Sequence, residues 1–148
     1  MKLLDLSHLG EPDLQLGDLR IWVHSRQFPE SVEYWDANWL NVTALNESTN
    51  SHVYTTGAIL HGGEFATFRA ETEQLYSTLS GAAKLGGIEP WLSVTMKGNG
   101  RGAIELEVCI TTDDLAEKHT YMKRLDQTHL PPVVRACQNI LAKYPIFG

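Results

Sequence analysis

The chain has 148 residues, 43% of them hydrophobic, and its 18 acidic against 12 basic side chains give a formal charge of −6. That is the size of one ordinary domain with enough apolar residues for its own core, and no linker, like-charge block or low-complexity tract offers a place to divide residues 1–148. The acidic balance argues against nucleic acid or an anionic membrane as partner, because phosphate binding needs clustered Lys and Arg, and it favours a basic protein instead.

Met1-Lys2-Leu3-Leu4-Asp5 meets an acid before any long apolar run can form, unlike a secretory leader, and the longest apolar runs are too short to span a bilayer. Leu14, Leu16, Leu19, Ile21 and Val23 alternate around Gly17-Asp18, which predicts a hairpin of two short strands. The β-rich runs 39–45 and 52–60 flank Asn46-Glu47-Ser48-Thr49-Asn50-Ser51, whose short polar side chains favour a turn. Beyond Gly62-Gly63 the period changes. Phe65, Phe68, Leu75 and Leu79 recur at helical spacing, so 64 to about 80 reads as an amphipathic helix stopped near Gly81.

In the second half, Leu92, Val94 and Met96 alternate with Trp91, Ser93 and Thr95, and Gly98-Asn99-Gly100-Arg101-Gly102 turns the chain into a strand over 103–111. There Ile104, Leu106, Val108 and Ile110 share the inner face, leaving Glu105, Glu107 and Cys109 outside. Asp113-Asp114 ends that strand, and 119–125 forms a weaker one. Pro131 and Pro132 open a terminal helix with Val133, Cys137, Ile140, Leu141 and Tyr144 as its buried stripe, ended by Pro145. The order strands, helix, strands, helix predicts an α+β fold: an antiparallel sheet of six or seven strands with two helices packed on one face. Strict βαβ alternation, as in doubly wound nucleotide-binding folds, is absent.

The residues supply no catalytic or metal-binding pattern. His8, His24, His52, His61, His119 and His129 show neither His-x-His nor His-x-x-x-His spacing, and they are read as surface or capping residues; no metal or cofactor is expected. The glycine-rich turn lies between strands instead of opening a helix, so it cannot cradle a phosphate as a nucleotide-binding loop does. No Gly-x-Ser-x-Gly elbow occurs. Cys109 in a strand and Cys137 on an apolar stripe are placed as inert thiols, and two cysteines without Cys-x-x-Cys spacing fit a reduced cytoplasmic location. Glu105 and Glu107 read as a solvated outer face, and Asp126 reads as a cap for the final helix.

The densest concentration of recognition chemistry is Arg26-Gln27-Phe28-Pro29-Glu30 followed by Tyr34-Trp35-Asp36-Ala37-Asn38-Trp39-Leu40-Asn41-Val42. Trp and Tyr bring rigid contact area with a polar tip, and the carboxylates and amides beside them suit loop bonding or partner contact. Phe28 and Trp39 are expected to fasten the loop to the core. Glu30, Glu33, Trp35 and Asp36 are the candidate partner-binding residues, because they combine negative charge with an aromatic anchor.

The pattern Gln-Phe-Pro, an acidic and aromatic spacer, then Asp-x-Asn-Trp-Leu-Asn-Val resembles the opening signature of the bacterial WapI-type immunity proteins and their uncharacterised relatives. Ile88-Glu89-Pro90-Trp91-Leu92-Ser93-Val94 is similar to a later strand of that family, with Trp91 in place of a smaller polar residue. Leu130-Pro131-Pro132 and Ile140-Leu141-Ala142-Lys143-Tyr144-Pro145 resemble its closing helix. The resemblance runs from about Leu19 onward. It implies a small cytoplasmic protein, without enzymatic activity, that binds and neutralises a toxin delivered by neighbouring bacteria. From the residues alone, a ligand- or protein-binding module unrelated to toxins, or a small hydrolase, are the competing readings.

Overall fold

The computed structural model describes residues 6–114 and 116–148; the Met1 to Asp5 stretch read above against a secretory leader lies outside them. A short 3₁₀ turn (Ser7–Leu9) leads into β1 (Leu14–Leu16) and β2 (Leu19–Arg26), joined at the expected Gly17-Asp18 hairpin. A four-residue helix α1 (Tyr34–Ala37) precedes β3 (Trp39–Ser48) and β4 (Ser51–His61). Helix α2 (Gly62–Thr78) follows, then β5 (Ser80–Gly86), β6 (Leu92–Asn99), β7 (Ala103–Asp113) and β8 (Glu117–Asp126), and a 3₁₀ turn (Gln127–His129) runs into α3 (Leu130–Lys143).

The expected single sheet is not what forms. The strands make two antiparallel sheets of four, β1-β2-β3-β4 and β5-β6-β7-β8, each a meander of neighbouring hairpins, with three α-helices among the described residues instead of two. The physical cause lies in how β4 and β5 are joined. Seventeen residues of α2 separate them, about 25 Å of helix, so β5 starts at the far end of α2 from β4 and runs back along the helix. Its Lys84 backbone N–H donates to Glu71 Oε1 of α2 at 3.0 Å. Strand β4 meanwhile crosses the inner face of the second sheet. Ser51 at one end bonds the Tyr121 hydroxyl on β8 at 2.8 Å, while near the other end Leu60 Cδ2 would lie 3.4 Å from a Cβ placed on Gly86 of β5. Sheets that cross in this way bury their faces on each other and leave the edges of β4 and β5 unpaired with one another.

One core results. Leu14, Leu19, Ile21, Val42 and Leu60 of the first sheet meet Leu85, Leu92, Val94, Leu106 and Ile110 of the second, with Phe65, Phe68 and Leu75 from α2 and Val133, Cys137 and Ile140 from α3. The inner and outer faces of β7 are those read from the alternation, and the apolar stripes of both long helices are buried with them, apart from Leu79, Leu141 and Tyr144, which are only half-buried. Burial pushes the Cys137 thiol up to about 12, which makes it inert. Asp126 caps the turn before α3: its Oδ1 accepts the Thr128 N–H at 2.9 Å and the Thr128 hydroxyl, and these bonds hold its pKa below the usual carboxylate value.

Candidate functional site

Three features fix the segment between β2 and β3. The turn 27–33 is held by the Ser31 N–H donating to the Phe28 carbonyl at 3.1 Å, and α1 begins with the Ala37 N–H donating to the Glu33 carbonyl at 2.8 Å. Ala37 is fully buried beneath it. Asn38 is also buried, and it ties the segment to the C-terminal residues: its Nδ2 donates to the carbonyls of Tyr34 at 2.7 Å and Phe147 at 3.1 Å, while its Oδ1 accepts the Phe147 N–H at 3.0 Å. From β2, Arg26 donates through Nη1 to the Ala37 carbonyl at 2.8 Å and through Nη2 to the Pro145 carbonyl, with its guanidinium 4.9 Å from the Phe147 ring centre. A short loop that would be mobile alone is thus bolted to a strand and to residues 145–147.

Beneath α1, His61 sits 2% exposed among three aromatic rings. Trp35 stacks on it at 5.1 Å and 26°, Trp39 meets it edge-on at 5.2 Å and 84°, and Tyr34 is tilted at 5.2 Å. Trp35 and Trp39 also meet edge to face at 5.3 Å and 88°, the arrangement favoured by the ring quadrupoles. Both imidazole nitrogens are committed. Nδ1 accepts the Gly63 N–H at 3.0 Å, so Nε2 carries the proton and donates to the Trp35 carbonyl at 3.1 Å. His61 is thereby the N-cap of α2, in a capping box completed by the His61 N–H donating to Glu64 Oε1 at 3.0 Å.

Glu64 has a second oxygen with no such use. Oε2 is buried without a hydrogen bond of good geometry, although the Ile88 backbone lies near enough to favour the ionised form. Burial wins, raising the carboxyl above its ordinary value against the opposing pull of the His61 and Ile88 backbone groups. Glu64 borders a cavity of about 410 Å³ with Trp35 and Tyr34 of α1, Glu71 further along α2, and Lys84 and Ile88 from the second sheet and its loop. Lys84 also borders a larger groove, about 720 Å³, over the outer face of the second sheet, where Glu89, Glu107, Asp114 and Glu117 lie.

The four residues singled out from the sequence do not all meet. Glu30 and Glu33 are exposed and Asp36 is half-buried on the same segment, but Trp35, 47% exposed, alone among them borders the cavity. Trp39 is an anchor as expected, at 6% exposure; Phe28 is not, at 45%, because it lies in the turn beyond the end of β2 where its side chain faces solvent. Arg26 and Asn38 belong to the stretch singled out from the sequence, but their anchoring roles were not read there, and Glu64 and residues 145–147 were not read as parts of this region. A signal existed for two of them: an Asn directly before a buried Trp, and a Glu three residues after His61 at a helix start. Among the described residues, no group of three or more His, Cys, Asp and Glu could hold a metal ion.

Fold and site together define a small α+β protein that displays one tryptophan, backed by a buried aromatic and histidine cluster, on an acidic segment held in place from both sides. The chain belongs to the WapI-like immunity protein family, whose sequence model matches residues 12–145. That membership supports an immunity role and a non-enzymatic one, with a toxin as the general kind of partner. Searches of curated proteins and of solved structures each gave no significant match.

Proposed function

We propose that this immunity protein acts in the cytoplasm by binding a basic cognate toxin domain through Glu30, Glu33, Trp35 and Asp36, covering the toxin's active site or substrate groove. The observation that carries the reading is the state of Trp35: nearly half of its surface is exposed, while stacking on His61 and edge contact with Trp39 hold the ring in one orientation. An exposed aromatic that is already ordered loses little entropy on binding, and such side chains dominate interface energies. The carboxylates around it suit a toxin whose own substrate is anionic, since they present negative charge where that substrate's phosphates would sit.

Cells that express the cognate toxin provide the test. Reversing Glu30, Glu33 and Asp36 to Lys should abolish protection while leaving the melting curve nearly unchanged, since two of the three side chains are exposed and the third is half-buried. Full protection by the folded triple variant would show that the toxin binds elsewhere.

A further inference from the structure

Exposed large apolar side chains are concentrated in one region. Nine of them are at least 40% exposed among the described residues. Four, Phe28, Val32, Tyr34 and Trp35, lie on the segment between β2 and β3. Ile146 and Phe147 lie on the residues clasped to it, and Ile88 borders the recess between α1 and α2 together with Tyr34 and Trp35. Only Tyr76, near the end of α2, and Met122 on β8 stand apart. Single apolar residues are normal on a surface, but seven gathered around α1 from three distant stretches of chain mark a contact face.

The clasp to Asn38 sets these residues side by side. A Cβ placed on Gly62 would lie 3.6 Å from Ile146 Cγ1 and 3.7 Å from the Asn38 Cβ, and one placed on Gly148 would lie 3.0 Å from the Tyr34 Cβ. Residues 146–148 therefore run along α1 beside the start of α2. The Phe147 ring is held by the Arg26 guanidinium, 4.9 Å from its centre, as Trp35 is held by His61. Side chains already ordered lose little entropy when a partner covers them.

Charge decides between partners. Residues 27–38 carry Glu30, Glu33 and Asp36 but no Lys or Arg, and Glu89 follows Ile88. Arg26, which precedes them, is spent on the Ala37 and Pro145 carbonyls, and Lys84 at the recess and Lys143 beside Tyr144 are outnumbered. A second copy of this chain docked about a two-fold axis would press these acids against one another, whereas a basic protein would meet them with opposite charge. We infer that Ile146 and Phe147 join Tyr34 and Trp35 as the apolar centre of the toxin-binding surface, and that the toxin meets it with apolar side chains ringed by Lys or Arg. The inference rests on the proposed toxin-binding role and adds a second, distant segment to its surface.

Hydroxyl-radical footprinting of the full chain, alone and with the purified cognate toxin domain, is the test. Tyr34, Trp35 and Phe147 should lose reactivity in the complex. The double variant Ile146→Ser, Phe147→Ser keeps the backbone groups of the clasp, and it should bind the toxin domain about tenfold or more weakly for want of the apolar area. That loss should appear in the dissociation rate and be the same at high salt, because covered apolar area is not screened. An unchanged indole N–H resonance for Trp35 shows that the α1 segment keeps its place in the variant; if the resonance moves, the footprint of the parent chain decides. Full reactivity of Phe147 in the complex overturns the inference, as does parent-like affinity of the double variant. Shielding of these residues in the chain alone that grows with its concentration also overturns it, by giving the face to a second copy. The two readings fail separately: lost cell protection in the triple charge reversal with Phe147 still reactive in the complex discards this inference alone, and a shielded Phe147 with full cell protection by that triple variant discards the acidic surface alone.

Discussion

Trp35 and Trp39 are four positions apart and have opposite fates. Trp39 opens β3 with only 6% of its surface exposed, while Trp35 sits on α1 at 47%. Trp39→Ala should therefore cost about 3–5 kcal/mol of stability, the range for truncating a core aromatic, and Trp35→Ala clearly less. Denaturant melts of the two variants decide this, and equal losses would mean the rings form one inseparable unit. Glu64 gives a prediction of opposite sign. Its carboxyl has a raised pKa in the folded protein, so the folded state holds that proton more firmly than the unfolded chain does. Stability from this group is present below the ordinary carboxylate value of 4.5 and is lost as pH rises through the higher folded value. Glu64→Gln should thus be as stable as the parent at neutral pH or more so, with the variant's advantage shrinking as pH falls below that value. Paired melts across the acid range measure the difference.

At the scale of elements, the long alternations and helical stripes were legible because they follow directly from burial. Ile104, Leu106, Val108 and Ile110 face inward on β7, and Phe65, Phe68 and Leu75 do so on α2. Strand β5 was not legible. Its sequence Ser80-Gly81-Ala82-Ala83-Lys84-Leu85-Gly86 is mostly small residues of low strand propensity, and only Ala83 and Leu85 reach the core. What holds β5 is context: pairing with β6 on one side and α2 packed alongside it. The division into two sheets was hidden for the same reason, since hydrophobic period identifies a strand's buried face but not its neighbour. Helix α2 ends with Leu79 in the left-handed conformation at φ 60°, its carbonyl accepting the Gly100 N–H at 2.7 Å. Gly98 sits under that junction, where an added Cβ would come within 2.4 Å of the Leu79 oxygen and 2.7 Å of a Leu75 methyl. Gly98→Ala should then destabilise the protein by about 1–3 kcal/mol or more, as overpacking does, whereas Gly81→Ala meets no neighbouring atom within 4 Å and tests only the cost of its positive φ. Thermal melts of the two variants separate crowding from backbone strain.

For the molecule as a whole, the candidate site was only partly visible because it is assembled from distant segments. Trp35 and Asp36 stood out locally, but the recess needs Glu64 and Glu71 from α2 and Lys84 from β5, which no local pattern places together. The formal charge of −6 acts at this scale too. If the partner is basic, toxin binding should weaken as salt rises, mostly through a slower association rate, because attraction between the surfaces is screened over about 10 Å at 0.1 M. Stopped-flow association at several salt concentrations measures this, and a rate independent of salt would argue against electrostatic steering.

The clasp between Asn38 and Phe147 bears on when protection can begin. The two residues are 109 positions apart, and closing so long a loop costs on the order of 4 kcal/mol in chain entropy, more than the two hydrogen bonds of that clasp return at about 1 kcal/mol each. The clasp can therefore close only after the sheets and α3 have already brought its halves together, and only once residues 145–147 have left the ribosome. A nascent chain that has not yet made residues 145–147 lacks the tie on Asn38, and the α1 segment then has only its contacts within the first sheet to hold it. Full anchoring of the α1 segment would come only after residues 145–147 have been made, so the interval before a newly made copy gives cover depends on synthesis reaching them as well as on how many copies are made.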